Sequence, residues 1–309
     1  MEAIAVAVRF GLYLDLMVLF GLPLFGLYGL RGVERSVEGV RALRLLYAVG
    51  AFAGLLLSGL GIVLLAASMS GVPLAQVDGS SISMLVFETG IGTAWQVRMA
   101  ALLLLLGASL LLNVARHVPA SMIAATSGTA LATLAWGGHA TVTEGTAGTF
   151  HLGSDIIHLL AAGVWIGALL SLSYLLFRAR RRITDAHVDI THRALASFAF
   201  VGTAVVTTIV VTGLVNSWFL IGPQGATSIL ESIYGQLLVA KLLLFLVMLG
   251  LAAINRYRMT PALEAAIARS DHSAAVSGLR ATLAVETASA IIILALVAWL
   301  GTLAPPVAM

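Results

Sequence analysis

The sequence has no cysteine, a single lysine, and charged residues at only 10% of its positions. The missing cysteines exclude disulfides, thiolate metal sites and cysteine nucleophiles, and leave the redox compartment open. The scarcity of charge excludes an ordinary soluble domain, in which about a quarter of residues are charged. No P-loop, phosphorylatable aspartate motif, HExxH helix or Ser, His and Asp arrangement is present, so the chain is read as a non-enzyme without its own nucleotide-driven motor. The formal charge of +3 invites a nucleic-acid reading, but the arginines sit in short linkers between apolar runs, where they set topology.

Apolar residues dominate instead, at 60% of the chain, with a mean hydropathy of +1.03. Eight apolar runs are long enough to cross about 30 Å of hydrocarbon at about 1.5 Å per residue. They lie at roughly 4–30, 43–68, 92–114, 119–138, 152–177, 194–220, 234–256 and 281–303. The first is too long for the apolar region of a cleaved signal and reads as a retained span. Fourteen of the seventeen basic residues fall in or beside the first, third, fifth and seventh linkers, and none in the linkers between. Because cytoplasmic loops carry the arginine excess, both termini are expected outside, which in a bacterium is the periplasm. The expected architecture is all-α: one polytopic membrane domain over residues 1–309, eight helices in a bundle in the bacterial inner membrane, and no soluble module. The loop at 70–83 and the segments at 139–151 and 222–232 face outward in this scheme.

Ionisable residues inside the apolar runs mark the site, because such groups are costly in a bilayer and face a bundle interior or a cavity. The fifth run carries His151, Asp155 and His158, spaced four and then three apart on one helical face, with Trp165 seven further on. Arg9, Arg98 and Lys241 lie roughly 8–10 Å inside the outer ends of their helices, in the same slab. His139 and Asn216 approach that slab from the fourth and sixth runs, and Glu88 lies just above Arg98. Asp15 is deeper in the first run, and Glu286 lies in the inner third of the last, at the depth of Asn255, Arg256 and His192.

Imidazole suits copper, zinc, iron and nickel, while thioether sulfur selects cuprous copper. His139, His151 and His158 are therefore candidate metal ligands, with Asp155 as a ligand or as the orienting partner of an imidazole. His151 and His158 stand about 10 Å apart along one helix, so a single ion is not shared directly between them. Met69 and Met84, flanking the first outer loop, are candidate accessory ligands. Asp15, Glu88, Arg98, Lys241 and Glu286 form a candidate charge network or ion path. Blander readings stay open: His151 as an interfacial residue, His158 as a core histidine satisfied by Asp155 or Arg98, and Arg98 and Lys241 as structural counter-ions to Asp155 and Glu88. A b-type haem protein with two axial histidines is the alternative from a different class.

Several stretches together resemble one family. They are DIIHLLAAGVWIGALL at Asp155 to Leu170, GHA at Gly138 to Ala140 and YGQLLVAKLLLF at Tyr234 to Phe245. TGIGTAWQVR at Thr89 to Arg98, the pair Asn255 and Arg256, and LRATLAVE at Leu279 to Glu286 complete the set. In their order and spacing they are similar to the copper resistance protein D (CopD/PcoD) family of inner-membrane proteins. That resemblance implies copper movement across the inner membrane, usually inward from the periplasm, with a small periplasmic copper-binding partner of the CopC type as a separate polypeptide. Some family members are described through methionine as well as histidine ligands. The few outer methionines here favour imidazole.

Overall fold

The computed structural model describes residues 2–30, 37–111, 120–138, 145–178, 185–225, 229–269 and 273–304. Every regular element among them is helical: α1 (Glu2–Tyr28), α2 (Val37–Ser70), α3 (Gly79–Glu88), α4 (Gly90–Leu111), α5 (Ala120–Ala132), α6 (Gly145–Arg178), α7 (Asp185–Gly225), α8 (Ile233–Ile254), α9 (Thr260–Arg269) and α10 (Ser273–Leu300). Seven of the described helices are long and apolar enough to cross a membrane. The run expected at 119–138 differs in kind. It forms 13 residues of α-helix, α5, followed by a 3-10 stretch at Thr133–Gly137. The tighter stretch rises about 2.0 Å per residue, so the two parts together reach roughly 30 Å.

Two helices lie outside the expected pattern. The stretch read as an outer loop contains α3, whose first turn is capped by Asp78 accepting from the Ser80 amide at 3.2 Å. That hydrogen bonding holds the exposed Asp78 carboxyl below its usual range. Beyond α8 the chain passes through one π-helical turn at Asn255–Met259 directly into α9. At the other end of the sixth run, Gly222 adopts a left-handed φ of 64° just before Pro223, which ends the straight part of α7.

α1 is the axis of the bundle and packs against α2, α5, α6 and α10. Its closest neighbour is α6, and the reason is local. A β-carbon at Gly21 would overlap the Gly163 carbonyl and the Gly167 backbone, and one at Gly167 would overlap the backbone of Gly21. Lipid tails are as apolar as leucine, so helices in a bilayer associate through close packing, and small residues permit it. Leu16, Leu19, Leu131, Leu169 and Leu172 fill the space around this crossing and are almost fully buried. At the end where α1 begins, Arg9 packs against Gly301, so both described ends of the chain meet on one face, called here the terminal face. Arg193, Arg256, Arg258 and Arg280 mark the opposite, arginine-rich face.

Replacing Gly167 by Leu is expected to break the α1–α6 crossing and lower the thermal midpoint in detergent, by an amount in the range of overpacked cores, about 1–3 kcal/mol or more. A β-carbon at Gly26 meets nothing within 4 Å. Gly26→Ala is therefore expected to leave the midpoint unchanged or raise it slightly.

Candidate functional site

The face of α6 that carries the ionisable residues packs against α7, and the two helices meet in matched rungs. His151 stacks on Phe219, with ring centroids 4.7 Å apart and an interplanar angle of 12°. One turn further along, Asn216 Nδ2 donates to Asp155 Oδ1 at 3.2 Å. Below that, His158 Nδ1 lies 2.9 Å from the Thr212 hydroxyl. The spacing on α6 is answered by Thr212, Asn216 and Phe219 on α7, which are four and three apart and so share a face as well.

His151 is only 2% exposed. α6 starts at Gly145, so this imidazole lies in the second turn of the helix rather than in a loop or first turn. For His158 the neighbours favour one tautomer. The Thr212 hydroxyl has one proton, and it donates that proton to the Thr208 carbonyl at 2.6 Å. Toward His158 the same oxygen can only accept, so Nδ1 carries a proton and Nε2 presents its lone pair.

Around this seam lie polar side chains from α1, α2, α4, the 3-10 stretch and α8. Arg9 NH1 donates to the Gly137 carbonyl at 3.1 Å, and Tyr13 lies within hydrogen-bonding reach of Arg9. Arg98 donates to the hydroxyls of Ser58 at 3.1 Å and Thr133 at 3.2 Å. It is thus held by neutral oxygens, while Glu88 is exposed at the end of α3. Asp155 lies within electrostatic reach of Lys241 and Arg9, and His158 within reach of Lys241. Asp155, Arg9, Arg98 and Lys241 therefore lie near one another at one end of the bundle, each held by its own neutral partners or by electrostatic proximity to the others.

The remaining candidates are dispersed. His139 lies outside the described residues, but Gly138 just before it abuts Asp155, whose Oδ2 would be 3.4 Å from a β-carbon there. Met69, at the end of α2, and Met84, in α3, are exposed. Asp15 faces Gly50 and Gly54 of α2, and its Oδ2 is buried without a partner among the described residues. Glu286 faces the π turn after α8, where Asn255 Nδ2 donates to its Oε2 at 3.0 Å. The two deep acids thus look into different interfaces. His192, on α7, stands 3.9 Å from Glu264 of α9 at the arginine-rich face. Among the described residues no group of three or more His, Asp and Glu side chains is close enough to hold a metal ion.

Sequence reasoning passed over Tyr13, Ser58, Thr133 and Thr212. A threonine four residues before Asn216, and a tyrosine four after Arg9, were the available signals. Asn216→Leu is expected to strand the buried Asp155 carboxyl and to destabilise the folded protein by about 1–3 kcal/mol, measured as a lowered midpoint of thermal unfolding in detergent.

Comparison with known proteins identifies the scaffold. Residues 1–149 match the family model described as copper resistance protein D-like, N-terminal domain, and residues 192–300 match that described as copper resistance protein D. Nearly all of α6 lies between the two matches. The chain is 43% identical to copper resistance protein D of Pseudomonas syringae pv. tomato, over 98% of this chain and 97% of that one. It is 26% identical to inner membrane protein YebZ of Escherichia coli, over 97% and 98% of the two chains. Against copper transport protein CutJ of Bacillus subtilis it is 31% identical, over 55% of this chain and 31% of that protein. No solved structure matches. With an all-helical bundle, seven helices of membrane-crossing length and these relatives along almost its full length, the chain belongs to the copper resistance protein D family.

Proposed function

We propose that this protein carries copper across the bacterial inner membrane, from periplasm to cytoplasm, through an imidazole site near its terminal face. The observation that carries the reading is the state of His158. Its Nδ1 is tied to Thr212, which leaves the Nε2 lone pair free for a metal. Family membership supplies the cargo. Imidazole is among the ligands that suit copper, and the chain has no thiolate to compete.

In this account His139 and His151 receive the ion, and His158 holds it one level deeper. Asp155, steadied by Asn216, supplies negative charge in a slab otherwise rich in cations. Met69 and Met84, exposed toward the same face, are accessory ligands at the entrance, where a separate periplasmic copper-binding protein delivers its cargo. The terminal face is then periplasmic, as the arginine excess on the opposite side favours. Both described ends of the chain lie on one face, which calls for an even number of crossings. α5 with its 3-10 extension is our eighth span, beside the seven longer helices. The haem reading is not carried forward. The other described imidazoles, His151 and His192, lie on the helix of His158 itself and at the opposite face, so neither is placed as a second axial ligand.

The test is copper uptake in proteoliposomes and in cells. Replacing His139 and His158 together by Ala is expected to abolish uptake, and uptake at the wild-type rate would refute the assignment. Thr212→Val removes the acceptor that orients His158 without touching a ligand. It is expected to weaken copper binding about 10–100-fold, the usual effect of losing an orienting partner.

A further inference from the structure

On the arginine-rich side of the seam a pocket of about 250 Å³ lies between α6, α7, α8 and α10; it opens outward past the exposed Thr203, Thr207, Arg256 and Tyr257 and reaches inward to the buried Glu286. Leucines, alanines, Val206, Phe198 and Trp165 form most of its wall, and Asn255, Arg256, Thr203, Thr207 and Glu286 contribute polar groups. Glu286 is 2% exposed, Trp165 is 3% exposed, and the Trp165 indole N–H has no hydrogen-bond partner among the described residues. An unpaired donor and a buried carboxyl on the wall of one roomy space are the conditions under which water is held inside a protein.

The setting of Glu286 is built. Asn255 begins the π-helical turn and bonds on both sides of its amide: Nδ2 donates to Glu286 Oε2, and Oδ1 accepts from the Thr282 hydroxyl. π turns are rare and recur at functional sites. An amide N–H can donate to a carboxylate and, more weakly, to the carbonyl oxygen of a carboxylic acid, so this bond can persist through a change of charge at Glu286. A metal ion fits the cavity poorly. Its lining offers one carboxyl, no imidazole and no thioether, and it includes the Arg256 guanidinium.

We propose that this cavity is a proton-binding site, in which Glu286 takes up and releases the proton and Asn255 positions it, and that it couples copper movement to a proton gradient. The coupling rests on the transport reading given above. The proton-binding step does not. On release, the O–H bond at Glu286 Oε1 breaks, the proton passes to cavity water, and Oε2 keeps its bond to Asn255. Uptake is the reverse. Arg256 and Tyr257 are the other titratable groups lining the space, and Arg256 is engaged with Ala199 and Thr203 of α7. α6 and α7 contribute no ionisable side chain to it, Asp15 faces α2, and Lys241 lies some four turns away along α8.

Two measurements test the proposal on the full-length protein in lipid. Infrared difference spectra across a pH titration are expected to show a carboxylic-acid carbonyl band that is lost in Glu286→Gln and kept in Glu286→Asp and Asp15→Asn. Identical spectra for wild type and Glu286→Gln would overturn the site. In proteoliposomes with the membrane potential clamped, one proton per copper makes the accumulation ratio shift about tenfold per unit of pH difference. Glu286→Gln is expected to lose that shift, and Glu264→Gln, an exposed carboxyl on the same face, to keep it. An undiminished shift in Glu286→Gln would overturn the coupling. Wild-type vesicles that move no copper would remove the coupling together with the transport reading, and the infrared band alone would then decide whether Glu286 binds a proton.

Discussion

The backbone contact between α1 and α6, where Gly21 meets Gly163 and Gly167, is the constraint on which the rest of the structure depends. In a bilayer, apolar side chains gain little by leaving lipid for protein, so helices are held by how closely they approach. Bringing these two together puts the helix that carries His151, Asp155 and His158 at the centre. It also sets the ionisable face of α6 against α7 on one side while Arg9 and Tyr13 of α1 reach the same level from another. A side chain at any of these glycines would push α6 outward and carry the whole seam with it.

The seam itself is held by neutral partners more than by ion pairs. Arg98 is gathered by two hydroxyls, Asp155 by an amide, and His158 by a hydroxyl already committed to its own helix. Burying complementary charges in direct contact costs desolvation and locks a geometry, whereas hydroxyls and amides satisfy a charged group and leave its charge available. For a site that must accept and then release a cation, that difference matters. The α6 stripe runs on from His158 to Trp165, whose indole stands at the wall of the lower cavity, so the two polar regions share one helix face.

The membrane class, the helical runs and the stripe on α6 were legible in the sequence, because hydropathy and helical periodicity act over many residues and survive packing. The Glu286 to Asn255 pairing was among the partners that depth allowed. Less legible were features set by one or two residues. α3 depends on a single Asp78 cap after a proline-containing turn. The π turn at Asn255 leaves no trace in composition, and the fourth run reads as a uniform apolar stretch although its last five residues tighten into 3-10 form. The partners of the ionisable residues were the hardest to read. A threonine or serine in an apolar helix most often bonds its own preceding turn, and nothing in the pattern marks Thr212 as the one that also meets a histidine.

Most of the account turns on His158 Nε2 being a copper ligand. X-ray absorption at the copper edge, on purified protein loaded with one equivalent of copper, measures this directly when wild type is set beside His158→Ala. The account predicts imidazole scattering in the wild type and one imidazole fewer in the variant. A copper shell that is unchanged by the substitution, or that is made of sulfur, would contradict it.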